Sequence, residues 1–312
     1  MKYQIGIDIG GTNMKLGLVD QALCLCAKIC IPFVSGGVQT ANALKDGVAA
    51  LLREKSVSQA QIESIGIVIP GSLDQTGRTV IDAHNLGFHD LPFVSMMEDH
   101  FPDIPIYMAN DADGAALAEL YQGAFIGCRT AVLLTLGTGL GGGVILNGRL
   151  FNGGMHHGSE PGHMILHENG LRCTCGNRGC AEVYCSATAL IREGEKAAKE
   201  NPDSMLCKAR KMDAKWVVDC AKASDPAAKK VFRTYLEHLA CACASIFNLL
   251  DPEVLAIGGG VCGAGEYLFE PLQQMVTDRC FYHENRGKLV PAVLGNDAGM
   301  IGAAMLHRNA QQ

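Results

Sequence analysis

Three cysteines in the middle of the chain have the spacing of metal ligands. Cys173, Cys175 and Cys180 lie close together with two glycines among them, and glycine lets the backbone turn tightly around a common centre. His163, a short distance upstream, supplies an imidazole as the fourth ligand. Thiolate and imidazole ligands with no open position are typical of a tetrahedral structural zinc site, so the sequence predicts Zn²⁺ here. Core cysteines without a metal are the alternative interpretation.

Two carboxylates flank this cysteine segment. Glu160 precedes His163, and Glu182 follows Cys180. A bound metal would make the loop rigid, and a rigid loop could present both carboxylates to a ligand. The segment 160–182 therefore predicts a binding site that a structural metal supports.

Composition limits the classes of function. The chain has 312 residues, enough for two domains, and a formal net charge of -6 without a basic run, which argues against a nucleic-acid partner. The N-terminus lacks the apolar core of a signal peptide, and no apolar run has the length of a membrane span. The fourteen cysteines are scattered through apolar segments, as expected for buried thiols in a reducing compartment. We therefore expect a cytoplasmic protein without a membrane partner.

The first twenty residues predict a hairpin with a glycine turn. Residues 3–9 alternate as in a strand, residues 10–11 form the turn, and Met14 to Val19 form the returning strand. Small residues at such a turn leave backbone N–H groups open to an anion, although a bare turn is the alternative. The polar residues at or beside it are Asp8, Thr12, Asn13 and Lys15. No Walker loop or dinucleotide fingerprint is present.

A carboxylate at the end of a later strand is a second candidate for chemistry. Pro105 to Ala109 is predicted as a strand and Ala112 to Gly123 as a helix, so Asp111 stands between them. Asp111 is then either a helix N-cap or a functional carboxylate. Upstream, the helix from Thr40 to Glu54 covers the sheet, and the strand from Ile62 to Pro70 ends at a natural ligand position.

The chain then repeats its opening pattern. Thr130 to Thr135 is an apolar strand, residues 137–143 form a glycine turn, and Val144 to Leu146 return toward a hairpin turn at residues 147–148. This duplication predicts two similar lobes whose glycine turns bind nucleotide phosphates from both sides of a cleft that closes by hinge motion. Further predicted elements are helices at 186–200, 225–250 and 300–308, a strand at 254–257, and a third glycine turn at 258–260.

These motifs together resemble the ROK family of sugar kinases and repressors. In order along the chain they are DIGGTNMK at 8–15, NDADGAALAE at 110–119, LGTGLGGG at 136–143, EPGH at 160–163, CTCGNRGCAE at 173–182 and IGGG at 257–260. The resemblance covers nearly the whole chain, and the EPGH and CTCGNRGCAE segments are its most specific parts. It implies an α/β, two-lobed actin-like or hexokinase-like (duplicated RNase H-like) fold with an inserted zinc-binding loop.

The resemblance also implies roles for individual residues. Asp111 resembles the catalytic base. The residues that resemble the hexose-binding set are Gly71, Asn85, Asn110, Asp111, Glu160, His163 and Glu182. Those that resemble the ATP and phosphate motifs are Asp8, Gly10, Gly11, Thr12, Lys15, Gly137, Thr138, Gly139, Gly141, Gly259 and Gly260. The zinc ligands implied are His163, Cys173, Cys175 and Cys180, with His163 contacting the sugar through its other nitrogen.

The implied activity is ATP-dependent phosphorylation of a hexose at its 6-hydroxyl, with Mg²⁺ on the phosphates and Asp8 holding it through water. The motifs are most similar to those of ROK glucokinases, which favours glucose; D-allose and N-acetylmannosamine stay open. Pro161, His156 and His157 depart from residues frequent in the family. Homodimers or homotetramers are common in it.

The resemblance also suggests a domain division. We expect a smaller N-terminal lobe over 1–115, completed by the C-terminal helix 299–312, and a larger lobe over 116–298 with the zinc loop and the adenosine motif. A repressor would carry an N-terminal helix-turn-helix segment, for which the position of Asp8 leaves no room. A non-catalytic sugar sensor would need a degenerate Asp111 or broken phosphate loops, and both motifs look intact.

Overall fold

The computed structural model of this chain describes residues 1–154, 159–284 and 286–310. Its chain divides into two compact units. The first comprises Met1–Gly127, Gly143–Ser159 and the C-terminal segment from Leu294, and the second comprises Cys128–Gly142 and Glu160–Val293. The boundary expected at 115/116 falls inside a continuous helix, which lies wholly in the first unit.

The elements up to residue 150 are strands β1 Tyr3–Ile9, β2 Asn13–Asp20 and β3 Leu25–Pro32, helix α1 Gly37–Glu54, strands β4 Ile62–Ile69, β5 Ser72–Leu73, β6 Val80–Ala83 and β7 Phe88–Leu91, helix α2 Phe93–Glu98, strand β8 Ile106–Asn110, helix α3 Asp111–Gln122, and strands β9 Ala131–Leu136, β10 Leu140–Leu146 and β11 Arg149–Leu150. The later elements are helices α4 Glu182–Cys185, α5 Ala187–Glu200, α6 Ala214–Lys222 and α7 Pro226–Leu250, strand β12 Val254–Gly258, helix α8 Glu266–Thr277, strand β13 Lys288–Pro291 and helix α9 Ala298–Ala310.

The sheet of the first unit has the order β3-β2-β1-β4-β8. Strands β1, β2 and β3 pair antiparallel, whereas β4 pairs parallel with both β1 and β8. Alternate side chains of β1, namely Ile5, Ile7 and Ile9, are fully buried in the core. This sheet confirms the predicted hairpin around the first glycine turn, and it places the carboxyl ends of β1, β4 and β8 at one edge.

The second sheet repeats this order as β11-β10-β9-β12-β13. Strand β12 pairs parallel with β9 and β13, as β4 does with its two neighbours. The predicted hairpin turn between β10 and β11 is confirmed, since Asn147 and Gly148 have φ values of 54° and 75°, as a tight two-residue hairpin requires. The predicted duplicated RNase H-like α/β fold is therefore confirmed.

The predicted second glycine turn is wrong in its extent. It was expected over residues 137–143, but β10 already begins at Leu140 and contains the last three glycines. The physical reason is close packing: an added Cβ at Gly142 would clash with Pro161 and with the carbonyl oxygen of Leu133. Glycine is needed there for proximity, whereas the turn itself is short.

Helix α7 forms much of the core of the second unit. Its predicted inward side chains are buried, namely Phe232, Leu236, Leu239, Cys243 and Phe247. Its N-cap is Asp225, whose carboxylate accepts the backbone N–H of Ala228. In the part of the chain that the structure describes, no helix is both long and apolar enough to cross a membrane.

Helix α9 packs unusually close to the strands of the first unit. An added Cβ at Gly66 of β4 would clash with the backbone carbonyl of Ala303, and one at Gly302 would clash with the carbonyl of Gly114 in α3. Only glycine permits backbone to approach backbone at this distance. The C-terminal helix is thus fixed against both the sheet and α3.

We predict that Gly66→Ala lowers the free energy of unfolding by about 3 kcal/mol, because α9 must move away from β4 to accept the methyl group. Urea unfolding measures this loss. The matched control is Gly263→Ala, since an added Cβ at Gly263 would meet no atom of the described residues within 4 Å. Equal stabilities of the two variants would contradict the close-packing argument.

Candidate functional site

The first glycine turn joins β1 to β2 and carries a charged pair at its base. Asp8 and Lys15 are register partners, and the Lys15 Nζ lies 3.5 Å from the Asp8 Oδ2. Lys15 also donates to the backbone carbonyl of Asn296 at 2.6 Å. The turn closes when the Gly10 N–H donates to the Asn13 carbonyl at 3.0 Å. These bonds hold a lysine ammonium beside an exposed glycine turn, an arrangement suited to an anion.

Asp8 lies beside the first residues of α9. An added Cβ at Gly299 would stand 3.0 Å from its Oδ2, a tight contact, so glycine at this position lets the helix backbone lie close to this carboxylate. Burial raises the pKa of Asp8, and the charge of Lys15 opposes that shift. A half-buried carboxylate at a glycine turn provides the oxygen ligands that Mg²⁺ prefers.

Asn110 and Asp111 occupy the start of α3, directly after β8. Asn110 is the N-cap: its Oδ1 accepts the Ala112 N–H at 2.8 Å and its Nδ2 donates to the Gly71 carbonyl at 3.0 Å. The Asp111 Oδ1 accepts the same Ala112 N–H at 2.9 Å. Because Asn110 is the cap, the simple N-cap interpretation of Asp111 is wrong.

The carboxyl group of Asp111 is accessible, yet dense protein surrounds it. This burial raises its pKa, the negative charge of Asp8 raises it further, and the N–H of Ala112 acts in the opposite direction. A carboxylate with a raised pKa accepts a proton more readily than an ordinary aspartate. Asp111 therefore has the properties of a general base.

Two further predicted residues lie near these motifs. Gly71 has a φ of 137°, and its carbonyl is the partner of Asn110. Asn85 lies in a short 3-10 helix, His84–Leu86, and is exposed, while its carbonyl oxygen stands 3.7 Å from the position of an added Cβ at Gly11. The structure thus brings Gly71 to Asn110 and Asn85 to the first glycine turn.

In the second unit the predicted metal ligands converge. One ligand atom from each of His163, Cys173, Cys175 and Cys180 lies within 4.8 Å of the other three. The His163 Nδ1 is 3.7 Å from the Cys173 sulfur, and the Cys175 and Cys180 sulfurs are also 3.7 Å apart. Three sulfurs and one imidazole at these separations fit a tetrahedral cation.

The electrostatics of the thiols differ within this cluster. A hydrogen bond from the backbone N–H of Asn177 lowers the pKa of Cys175. Burial raises the pKa of Cys180 to about 12, so a bound cation would have to displace its proton. The loop is closed by Gly179, whose φ is 81° and whose N–H donates to the Leu171 carbonyl at 2.8 Å. The expected tight glycine turn is present.

Glu182 connects the cysteine cluster with the second glycine loop, which we define as residues 137–140. It is the first residue of α4, and its Oε1 lies 3.5 Å from the Cys173 sulfur. Its Oε2 accepts the Leu140 N–H at 3.1 Å. Glu160 stands just before a 3-10 turn, Pro161–His163, and is exposed. His156 and His157 lie outside the described residues.

The start of α5 fixes the same loop from another side, which the sequence did not predict. The Ala187 N–H donates to the Gly137 carbonyl at 2.9 Å, and the Thr188 hydroxyl donates to the Thr138 carbonyl at 2.7 Å. A serine or threonine near a helix N-terminus usually signals only a cap, so sequence spacing gave no sign of a bond to a distant loop.

The remaining predicted residues of the nucleotide site are those of the adenosine motif, Gly259 and Gly260, and Gly141. Gly259 has a φ of 96° and an added Cβ there would clash with the backbone of Leu136, the residue before the second glycine loop. Gly260 begins a 3-10 turn, Gly260–Ala264. Gly141 lies within β10, beyond the exposed part of the loop.

The fold and these sites define a class of protein. A duplicated RNase H-like fold with a glycine turn at the corresponding position of each sheet belongs to the actin-like class, in which such turns bind nucleotide phosphates.

The family model described as ROK family matches residues 4–310, and the chain therefore belongs to the ROK family. It is 33% identical over 313 residues to a glucokinase of Halalkalibacterium halodurans, with 98% of this chain and 94% of that protein covered.

Two solved structures are similar over nearly the whole chain. A ROK family glucokinase from Streptomyces griseus in complex with glucose and AMPPNP is 30% identical, with a TM-score of 0.81 and coverage of 97% of this chain and 98% of that one. The ROK hexokinase from Thermus thermophilus is 31% identical, with a TM-score of 0.86 and coverage of 99% of both chains.

Proposed function

We propose that this protein is an ATP-dependent hexose kinase that phosphorylates glucose at its 6-hydroxyl. The observation that carries the proposal is Asp111, an accessible carboxylate whose pKa is raised by burial and by Asp8. The relatives of this chain support the same activity, because two glucokinases that are 33% identical to it match nearly its full length. The glucokinase crystallised with glucose and AMPPNP supports ATP as the phosphoryl donor.

In the proposed reaction, Asp111 accepts the proton of the sugar 6-hydroxyl as its oxygen attacks the γ-phosphorus. The bond from that phosphorus to the β–γ bridging oxygen breaks, and the electron pair leaves with ADP. Because this transition state is loose, the protein contributes chiefly position and positive charge. Lys15 supplies charge at the first glycine turn, and the second glycine loop supplies backbone N–H donors.

In this proposal, hydrogen bonds to the hexose come from the residues that resemble the family's sugar-binding set, namely Gly71, Asn85, Asn110, Asp111, Glu160, His163 and Glu182. The Glu182 carboxylate, held by the Leu140 N–H, would accept sugar hydroxyls in a fixed orientation. A sugar that lacks the matching hydroxyl would leave a carboxylate unsatisfied, at a cost of about 1 to 3 kcal/mol. D-allose and N-acetylmannosamine are the alternative substrates.

Two metals accompany this proposal. Asp8 would hold Mg²⁺ through water, and the bound Mg²⁺ would neutralise negative charge on the phosphates. His163 and the three cysteines would hold a structural Zn²⁺ that keeps Glu182 in position. We also propose that the enzyme is cytoplasmic and forms a homodimer or a homotetramer.

The direct test is an ADP-release assay with Mg-ATP and a panel of glucose, allose, mannose, fructose, N-acetylglucosamine and N-acetylmannosamine. We expect turnover, with the highest kcat/KM for glucose. Turnover of a different sugar would change the substrate, whereas binding of a sugar without any turnover would favour a non-catalytic sugar sensor.

We predict that Asp111→Asn lowers kcat by about 10²- to 10⁴-fold, because the amide cannot accept the proton. The calorimetric Kd for glucose should change little, because the amide can still form a hydrogen bond to the sugar hydroxyl. In the wild type, kcat/KM falls as pH is lowered through the raised pKa of Asp111, since the protonated carboxyl is no base. The control is Asp103→Asn, an exposed aspartate just before β8 that belongs to none of the motifs. Full activity in Asp111→Asn would remove it as the base.

We predict roughly one zinc per chain by elemental analysis of the purified protein. Cys175→Ser should lower the zinc content, the Tm and the affinity for glucose together, because one loop carries the metal ligands and Glu182. Cys241→Ser, at an exposed cysteine of α7, is the matched control and should change none of these. A metal-free protein with full activity and unchanged Tm would refute the structural zinc.

A further inference from the structure

We propose that Thr188 is a positioning residue that aims the second glycine loop at the phosphates of the nucleotide. This inference rests on the proposed kinase function and adds a residue that none of the motifs contains. Thr188 is the second residue of α5, and its hydroxyl donates to the Thr138 carbonyl at 2.7 Å.

The bond is unusual for a threonine at this position. A hydroxyl in the first turn of a helix normally serves that helix, and here Ser186 already does so by accepting the Ala189 N–H at 3.1 Å. Thr188 is therefore not needed as a cap. Its hydroxyl instead bonds a loop that lies fifty positions earlier in the chain.

Two successive carbonyl groups of the loop are held in this way. The Ala187 N–H, one of the free donors that begin any helix, takes the Gly137 carbonyl at 2.9 Å, and Thr188 takes the Thr138 carbonyl. The start of α5 is thus a clamp on the carbonyl side of the loop.

Because the peptide group is planar, holding these two carbonyl groups also sets the direction of the N–H groups that follow them. In a planar trans peptide the C=O and the following N–H point in opposite directions. No cis peptide occurs among the described residues. Fixing the carbonyls of Gly137 and Thr138 toward α5 therefore points the N–H groups of Thr138 and Gly139 away from it.

These two N–H groups are the ones left for a ligand. Among the residues that the structure describes, neither donates to a protein acceptor, and the next N–H along the loop, that of Leu140, is already bonded to Glu182. Thr138 is exposed and Gly139 is partly exposed, so an anion can reach this part of the loop. Successive N–H groups on a glycine loop bind phosphate oxygens.

The test compares Thr188→Val, which keeps the shape and removes the donor, with Thr188→Ser, which keeps the donor. We expect Thr188→Val to raise the KM for Mg-ATP and the calorimetric Kd for Mg-AMPPNP by about three- to tenfold, the effect of one lost hydrogen bond. The Kd for glucose and the Tm should stay at wild-type values, and Thr188→Ser should restore nucleotide affinity.

The matched control is Thr234→Val, a threonine on the exposed side of α7, which should behave as the wild type in every measurement. Wild-type affinity for Mg-AMPPNP in Thr188→Val would overturn the inference. Parallel losses of nucleotide affinity, glucose affinity and Tm would also overturn it, since they would show a general structural role.

The binding measurement separates this inference from the proposed function. A wild type that binds Mg-AMPPNP but phosphorylates no sugar would end the kinase proposal, while the comparison of Thr188→Val with Thr188→Ser would still decide the role of Thr188. A wild type without affinity for Mg-AMPPNP would refute both.

Discussion

The close approach of α9 to the first sheet and to α3 is the constraint on which the first unit depends. At Gly66 and Gly302 backbone meets backbone, with no room for a side chain. The same helix begins beside Asp8, where Gly299 leaves space for the carboxylate. One packed helix therefore fixes the positions of the element that carries Asp8 and the element that begins with Asp111. Close packing of this kind leaves the side chains that it supports little freedom to move.

Dense packing also affects the pKa values of the two carboxyl groups, Asp8 and Asp111. Asp8 and Asp111 are both surrounded densely enough for their pKa values to be raised; the charge of Asp8 raises the pKa of Asp111 further, while the charge of Lys15 opposes the rise in the pKa of Asp8. The two carboxylates thus have different environments and suit different roles. Asp8, paired with the Lys15 ammonium, is suited to binding a cation at the phosphates. Asp111, which has no cationic partner among the residues that the structure describes, is suited to accepting a proton.

In the second unit, the Glu182 carboxylate and the start of α5 hold the second glycine loop in position. Glu182 touches a cysteine of the metal cluster with one oxygen and the backbone of the second glycine loop with the other. The start of α5 holds the carbonyls of the same loop. Because all three bonds converge on four residues, the loop is ordered by groups that lie far from it in the sequence. A metal that stiffens the cysteine loop would act on the same loop through Glu182.

The sequence by itself determined the duplicated strand and turn pattern, the alternation that buries β1, and the four residues whose ligand atoms converge in the cysteine loop. Those features are local: they depend on periodicity, on turn glycines and on the short spacing of cysteines. It misjudged the glycines from Gly141 onward, because glycine in a turn and glycine in a closely packed strand look the same in one dimension. It also identified Asp111 but not the reason for its raised pKa, which comes from burial and from the charge of Asp8. The sequence assigned no role to Thr188, since its partner is a carbonyl group, and every residue has one. Only the tertiary structure decides which carbonyl a hydroxyl meets.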